Sequence, residues 1–118
     1  MWQERQAELL REEIDAVIAS LSDVGGLCDL VREPLRQGGR GLATESSEYQ
    51  LWPLLPLIVC EAISGYFEQA LPVAAARQFL VAAADVFDDI EDADSSHSLL
   101  AKYGHAVATN VATTLLIL

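Results

Sequence analysis

One segment limits the possible folds of this chain more than any other. From Pro72 to Asp94 the sequence reads "PVAAARQFLVAAADVFDDIEDAD", with frequent alanine and no proline after its first residue. Alanine has the highest helix propensity, and proline is tolerated in the first turn of a helix. The segment therefore predicts a long helix that starts near Pro72 and packs closely against its neighbours. Its second half is acidic, because six of the ten residues from Asp85 to Asp94 are Asp or Glu.

The N-terminal part of the chain also shows helical spacing. Apolar residues recur at intervals of four, three and four, which predicts an amphipathic helix over Gln3 to Ser22; they are Leu10, Ile14, Val17 and Leu21. A second short helix follows in "LCDLVREPLR", where Pro34 is expected to bend or end it.

Two further helices are predicted in the rest of the chain. In "WPLLPLIVCEAISG" the prolines Pro53 and Pro56 suit a first turn and Gly65 suits a C-terminal cap. This helix is apolar nearly all round, so we expect it to be buried among other helices. The last segment, "LLAKYGHAVATNVATTLLIL", predicts one more helix. The fold class is therefore all-α, with residues 1–118 forming a single helical domain and residues 37–50 a flexible loop.

Charge and composition restrict the partners. The formal net charge is −11, which disfavours nucleic acid and anionic membranes, since both attract basic surfaces. The apolar stretches "LWPLLPLIVC" and "AVATNVATTLLIL" fall short of a membrane span, so no stable membrane insertion is expected. Cys28 and Cys60 lack CxxC spacing, and reduced thiols of a cytoplasmic protein are favoured over a disulfide.

The chain ends on four aliphatic residues, "LLIL". Exposed apolar ends of this kind are unusual in natural domains. We therefore expect either a longer parent chain or a homo- or hetero-oligomer that covers the apolar C-terminal helix.

The acidic stretch predicts a metal site. On a helix, Asp85, Asp88, Asp89 and Asp92 lie at i, i+3, i+4 and i+7 and so share one face. Like charges at these spacings repel, and residues 85–100 contain no Lys or Arg to offset them. A hard cation such as Mg²⁺, which takes oxygen ligands and often binds substrate phosphates, would relieve the repulsion. The alternative is a solvated acidic helix end.

Together with its flanks, this stretch resembles a known family. "FLVAAADVFDDIEDAD" is similar to the first aspartate-rich motif, DDxxD, of the isoprenyl diphosphate synthases. "LLPLIVCEAISG" resembles the preceding helix of that family, and "AKYGHAVATNVATTLL" resembles its following YGxAxAIxxGDxLL block. The resemblance spans about Trp52 to Leu118, and it implies the N-terminal half of the all-α isoprenoid synthase fold.

The resemblance also implies a site and its chemistry. Asp88, Asp89 and Asp92 would be the catalytic metal ligands, holding Mg²⁺ that binds and ionises an allylic prenyl diphosphate. In that family, residues just before DDxxD limit the length of the prenyl product. The resemblance therefore implies a pocket for the prenyl chain, which would involve Ala83, Ala84 and Phe87. Close helix packing is an equal alternative for the two alanines.

This sequence differs from the family's motifs at three places, and these differences restrict the function that the resemblance implies. "SEYQLWP" lacks the cations that bind isopentenyl diphosphate, "SSHSLL" replaces a basic RRG pattern, and a second aspartate-rich motif is absent from the 118 residues. The expected function is prenyl transfer or terpene cyclisation, incomplete without a C-terminal half or a partner. A non-catalytic helical subunit of a heteromeric prenyl synthase is the alternative.

Overall fold

The computed structural model describes residues 2–21, 26–36, 52–92 and 99–118. Short 3-10 turns at Trp52–Leu54 and Glu68–Ala70 precede the third and fourth of its helices. The described residues contain no strand, which confirms the all-α class. The loop predicted at 37–50 and the acidic Asp94 lie outside the described residues. The α-helices are α1 (Trp2–Ala19), α2 (Leu27–Arg36), α3 (Leu55–Ser64), α4 (Leu71–Asp92) and α5 (Leu99–Ile117).

The alanine-rich helix α4 lies at the centre of the fold. It contacts each of the other four helices, and its longest interface is with α5. Small side chains allow the two helix backbones to approach closely, since no bulky group separates them. The close packing that the sequence predicts is thus confirmed by six buried alanines; they are Ala74, Ala75, Ala82 and Ala83 on α4 and Ala108 and Ala112 on α5.

The amphipathic helix α1 packs one apolar stripe into the same core. Leu10, Ile14 and Ile18 are buried, whereas Val17 lies at the edge of the core and is only partly covered. Two amides, Gln6 and Gln78, are also buried. Within the described residues every buried side-chain nitrogen or oxygen has a hydrogen-bond partner. These hydrogen bonds offset the free energy lost when the two amides are removed from water.

The predicted Gly65 cap of α3 and the place of Pro56 are confirmed, whereas Pro53 lies in the 3-10 turn Trp52–Leu54 that precedes this helix. Pro56 lies in its first turn, and Gly65 closes it in the left-handed conformation at φ 83°. The Gly65 N–H donates to the Glu61 carbonyl oxygen at 2.8 Å. In α2, Pro34 does not end the helix, which continues to Arg36.

The sequence predicts one uninterrupted last helix, but α5 is broken near its start. Gly104 has φ 85° and ψ 177°, which is not helical. This backbone region is accessible essentially to glycine alone. The break separates the first turn of α5 from the long segment that carries the buried Ala108, Val111 and Leu115.

Gly104→Ala should therefore lower the free energy of unfolding by about 1–3 kcal/mol. The cost is conformational, since a Cβ at Gly104 would meet nothing within 4 Å. Urea denaturation followed by circular dichroism measures it. Thr109→Ala, at an exposed helical position of α5, should change stability by no more than about 0.5 kcal/mol. Equal stability of the two variants would contradict the break at Gly104.

Candidate functional site

The acidic residues lie at the C-terminal end of α4. Asp85, Asp88, Asp89 and Asp92 are all helical, so the predicted spacing places them along one face. Asp88 is exposed, while Asp85 and Asp89 are half-buried. For Asp92 the backbone alone is described. The stripe therefore begins against the body of the protein and opens to solvent at Asp88.

The sequence after the acidic stretch offers one nearby cation, Lys102, and this side chain is engaged elsewhere. It pairs with Glu33, which joins the start of α5 to α2. The hydrogen bond and the charge of Glu33 raise the pKa of Lys102 above its ordinary value. Another ion pair links Arg32 and Asp15 at 3.6 Å, between α2 and α1. Both pairs reinforce the contacts of α2.

The described carboxylates do not form a complete metal cage. Across the described ranges there is no group of three or more His, Cys, Asp or Glu side chains placed to hold one metal ion. A single helix face presents its carboxylates side by side, about 6 Å of helix axis apart for residues four positions apart. A cage needs ligands from a facing element, and the family resemblance assigns these to a second motif.

The three predicted pocket residues lie in different surroundings. Ala83 is fully buried in the core, Phe87 is half-buried against it, and Ala84 is exposed. Consecutive helical residues point about 100° apart, so Ala83 and Ala84 face different surroundings. The burial of Ala83 favours its interpretation as close helix packing. On the exposed stripe of α4, Ala84 lies between Leu80 and Asp88.

The sequence pattern did not predict a set of exposed apolar side chains on and beside α3 and α4, here called the α3–α4 face. It is formed by Trp52, Leu55, Val59, Ile63, Tyr66, Val73 and Leu80. The expectation that α3 is buried all round is therefore wrong: α3 buries Leu57 and exposes its opposite side. The spacing of residues 52, 55, 59 and 63 was the available signal, because steps of three and four mark one helix face.

Polar contacts hold two parts of this face together, one between α4 and the 3-10 turn before α3, and one between α3 and the 3-10 turn before α4. Arg77 on α4 donates from Nη1 to the Trp52 carbonyl oxygen at 2.9 Å. At the other end of α3, the Gln69 amide donates to Ser64 Oγ at 3.1 Å and to Cys60 Sγ at 3.3 Å. The first contact places Trp52 beside the part of α4 that exposes Val73 and Leu80.

The chain matches no protein-family model, no curated protein and no solved structure. The resemblance to isoprenyl diphosphate synthases consequently stays a prediction that comes from its motifs.

The helical segment Glu68–Glu91 has the length and apolar character of a membrane span, with a mean hydropathy of 1.4 over its most apolar window. Inside the protein 44% of that window is buried. The core helix of a soluble protein meets the same criteria, and α4 packs against four other helices. The expectations of a cytoplasmic protein without stable membrane insertion remain predictions.

Proposed function

We propose that this chain binds the diphosphate of an allylic prenyl diphosphate through Mg²⁺ held by Asp88, Asp89 and Asp92. The observation that carries the proposal is the exposed stripe of α4, where an apolar surface leads directly into carboxylates. Ala84 lies about one turn and Leu80 about two turns before Asp88, and all three are exposed on the same side of α4. An amphiphilic ligand with an apolar tail and an anionic head matches this order.

The proposed chemistry follows from the charges. Carboxylates alone repel a diphosphate, so the Asp stripe serves the substrate only by binding divalent cations. When bound, Mg²⁺ would neutralise the charge that develops on the departing diphosphate. The residues Asp88, Asp89 and Asp92 would position that charge at the end of α4, while Leu80 and Ala84 hold the tail away from water.

The acceptor is proposed to differ from isopentenyl diphosphate. The stretch from Ser47 to Pro53, which corresponds to the family's acceptor site, carries no Lys or Arg. Terpene cyclisation, or prenyl transfer to another acceptor, needs no second diphosphate site. Turnover would also need carboxylates from a C-terminal half or from a partner, because α4 supplies one wall of the cage.

A non-catalytic helical subunit is the second candidate. One observation favours it: the exposed apolar side chains of the α3–α4 face suit assembly with another protein. The two candidates differ in one property, which is Mg²⁺-dependent affinity for a prenyl diphosphate.

Asp88→Asn tests the proposal. Calorimetric titration of the chain with geranylgeranyl thiolodiphosphate, a substrate analogue that resists ionisation, should show binding with Mg²⁺ and none with EDTA. Asp88→Asn keeps the size of the side chain and removes one charged ligand, so the affinity should fall by about tenfold or more.

The matched control is Glu12→Gln, which removes one charge from an exposed position of α1. Its affinity for the analogue should equal that of the unmodified chain. Absence of Mg²⁺-dependent binding, or equal losses in both variants, would reject the enzymatic proposal and favour the subunit.

A further inference from the structure

The two sides of the break at Gly104 are held to the protein in different ways. After the break, α5 has a continuous buried side; it consists of Ala108, Val111, Ala112 and Leu115. Before the break lies a single turn, residues 99–103, here called the strap. Among the described side chains of the strap, Leu100 is buried, whereas Lys102 and Tyr103 are exposed. The strap therefore has one described apolar anchor, while the rest of α5 is fixed along its length.

The residues around the break lie away from the bundle. Positions 102–106 are five consecutive exposed residues. A regular helix that packs on one side turns a residue inward every three or four positions, so this run marks an interruption of the helix period. A Cβ built at Gly104 would meet nothing within 4 Å. Within the described residues, no neighbouring group obstructs a change of the backbone torsion angles at Gly104.

An ion pair attaches the strap to α2. Lys102 Nζ contacts the carboxylate oxygen Oε1 of Glu33, a residue 69 positions earlier in the chain. The Glu33 side chain is 19% exposed and the Lys102 side chain is 53% exposed. The hydrogen bond and the charge of Glu33 raise the pKa of Lys102, which means that the contact favours the charged amine. This pair is therefore the polar anchor of the strap, beside the apolar anchor at Leu100.

We propose that the strap is a conformational device that Glu33 fastens to α2. When the ion pair is lost, the strap moves about Gly104 while the rest of α5 stays in place. Ionic strength controls this movement, because salt screens partly exposed charges.

Release of the strap also changes the state of a cation. Residues 78–118 contain six Asp or Glu residues and a single Lys or Arg, which is Lys102. In the fastened state this cation is held by Glu33, and in the released state it is free to pair with another anion. Neither Mg²⁺ nor a prenyl diphosphate takes part in the movement, so it is independent of the proposed function.

Nitrogen-15 relaxation of the 118-residue chain, without metal or ligand, measures this movement as backbone order parameters. In dilute salt, residues 99–103 of the unmodified chain should have order parameters close to those of residues 107–117, about 0.85. Glu33→Gln keeps the size of the side chain and removes its charge. This variant should lower the order parameters of residues 99–103 below about 0.6 and leave those of residues 107–117 unchanged.

Two further conditions should have the same effect as Glu33→Gln. Lys102→Gln removes the other partner of the ion pair from an exposed position, where a change of side chain has little effect on folding. Sodium chloride at about 1 M screens the pair in the unmodified chain, since the Debye length is then about 3 Å.

Asp15→Asn is the matched control, because it breaks a different ion pair of α2, that of Arg32 with Asp15, and leaves Glu33 in place. The strap should stay ordered in this variant. Order parameters near 0.85 in Glu33→Gln would overturn the proposal, because Leu100 alone would then hold the strap. A strap that is already mobile in the unmodified chain would also overturn it, as would a loss of order along the whole of α5. Equal mobility in Asp15→Asn and Glu33→Gln would do so too, since α2 would then be detaching as a unit.

Discussion

Phe79→Ala is expected to lower the free energy of unfolding by about 3–5 kcal/mol. Phe79 is 2% exposed and lies in the middle of the buried side of α4. Because α4 contacts every other described helix and Phe79 is buried in the shared core, the cavity left by the ring would open inside that core. Domains are typically stable by about 5–15 kcal/mol, so a loss of this size removes a large share.

Phe87→Ala provides the matched control for this prediction. Phe87 lies on the same helix, carries the same ring and is half-buried rather than buried. Its truncation should cost about 1–2 kcal/mol, because less apolar surface is returned to water. Urea denaturation at a single protein concentration measures both, with the slope of each transition checked for two-state behaviour. A larger loss for Phe87→Ala than for Phe79→Ala would contradict the orientation of α4.

Ala83→Leu is expected to destabilise the protein by about 1–3 kcal/mol, because a larger side chain does not fit a closely packed core. Ala83 has no exposed surface and belongs to the same buried side of α4 as Phe79. If Ala83 instead lined an open prenyl pocket, leucine would fill empty space there. Stability would then stay unchanged, and affinity for a long-chain analogue would fall.

Ala84→Leu is the companion substitution at the next position. Ala84 is exposed, so its free energy of unfolding should change by no more than about 0.5 kcal/mol. Under the proposed function, this variant should alter the affinity for geranylgeranyl thiolodiphosphate, since Ala84 lies between Leu80 and Asp88. Thermal unfolding and the calorimetric titration separate the two effects. Destabilisation by Ala84→Leu equal to that by Ala83→Leu would contradict the placement of this residue.

Local signals were sufficient to predict several elements correctly. Three features depend on the conformational preferences of a few neighbouring residues: the start of α4 near Pro72, Pro56 in the first turn of α3, and the Gly65 cap of α3. The stripe of Asp85, Asp88 and Asp89 follows in the same way, since helical spacing alone determines which residues share a face.

The orientation of helices relative to one another was not predictable in this way. The apolar composition of α3 suggested burial on all sides, yet Val59 and Ile63 are exposed because α3 packs at one edge of the bundle. Ala83 and Ala84 are chemically identical, and only the packing of α4 decides that the first is buried. Gly104 likewise permits a break in α5 without requiring one.

The sequence by itself determined that this protein is helical, approximately where α3 and α4 begin, and that α4 ends in an acidic stripe. These properties depend on the helix propensity of each residue and on the 3.6-residue period of the helix. The tertiary structure alone decided which apolar residues form the core and which form the α3–α4 face. The physical reason is that burial depends on contacts between residues far apart in the chain, and hydrophobicity is the same on both sides of an all-apolar helix.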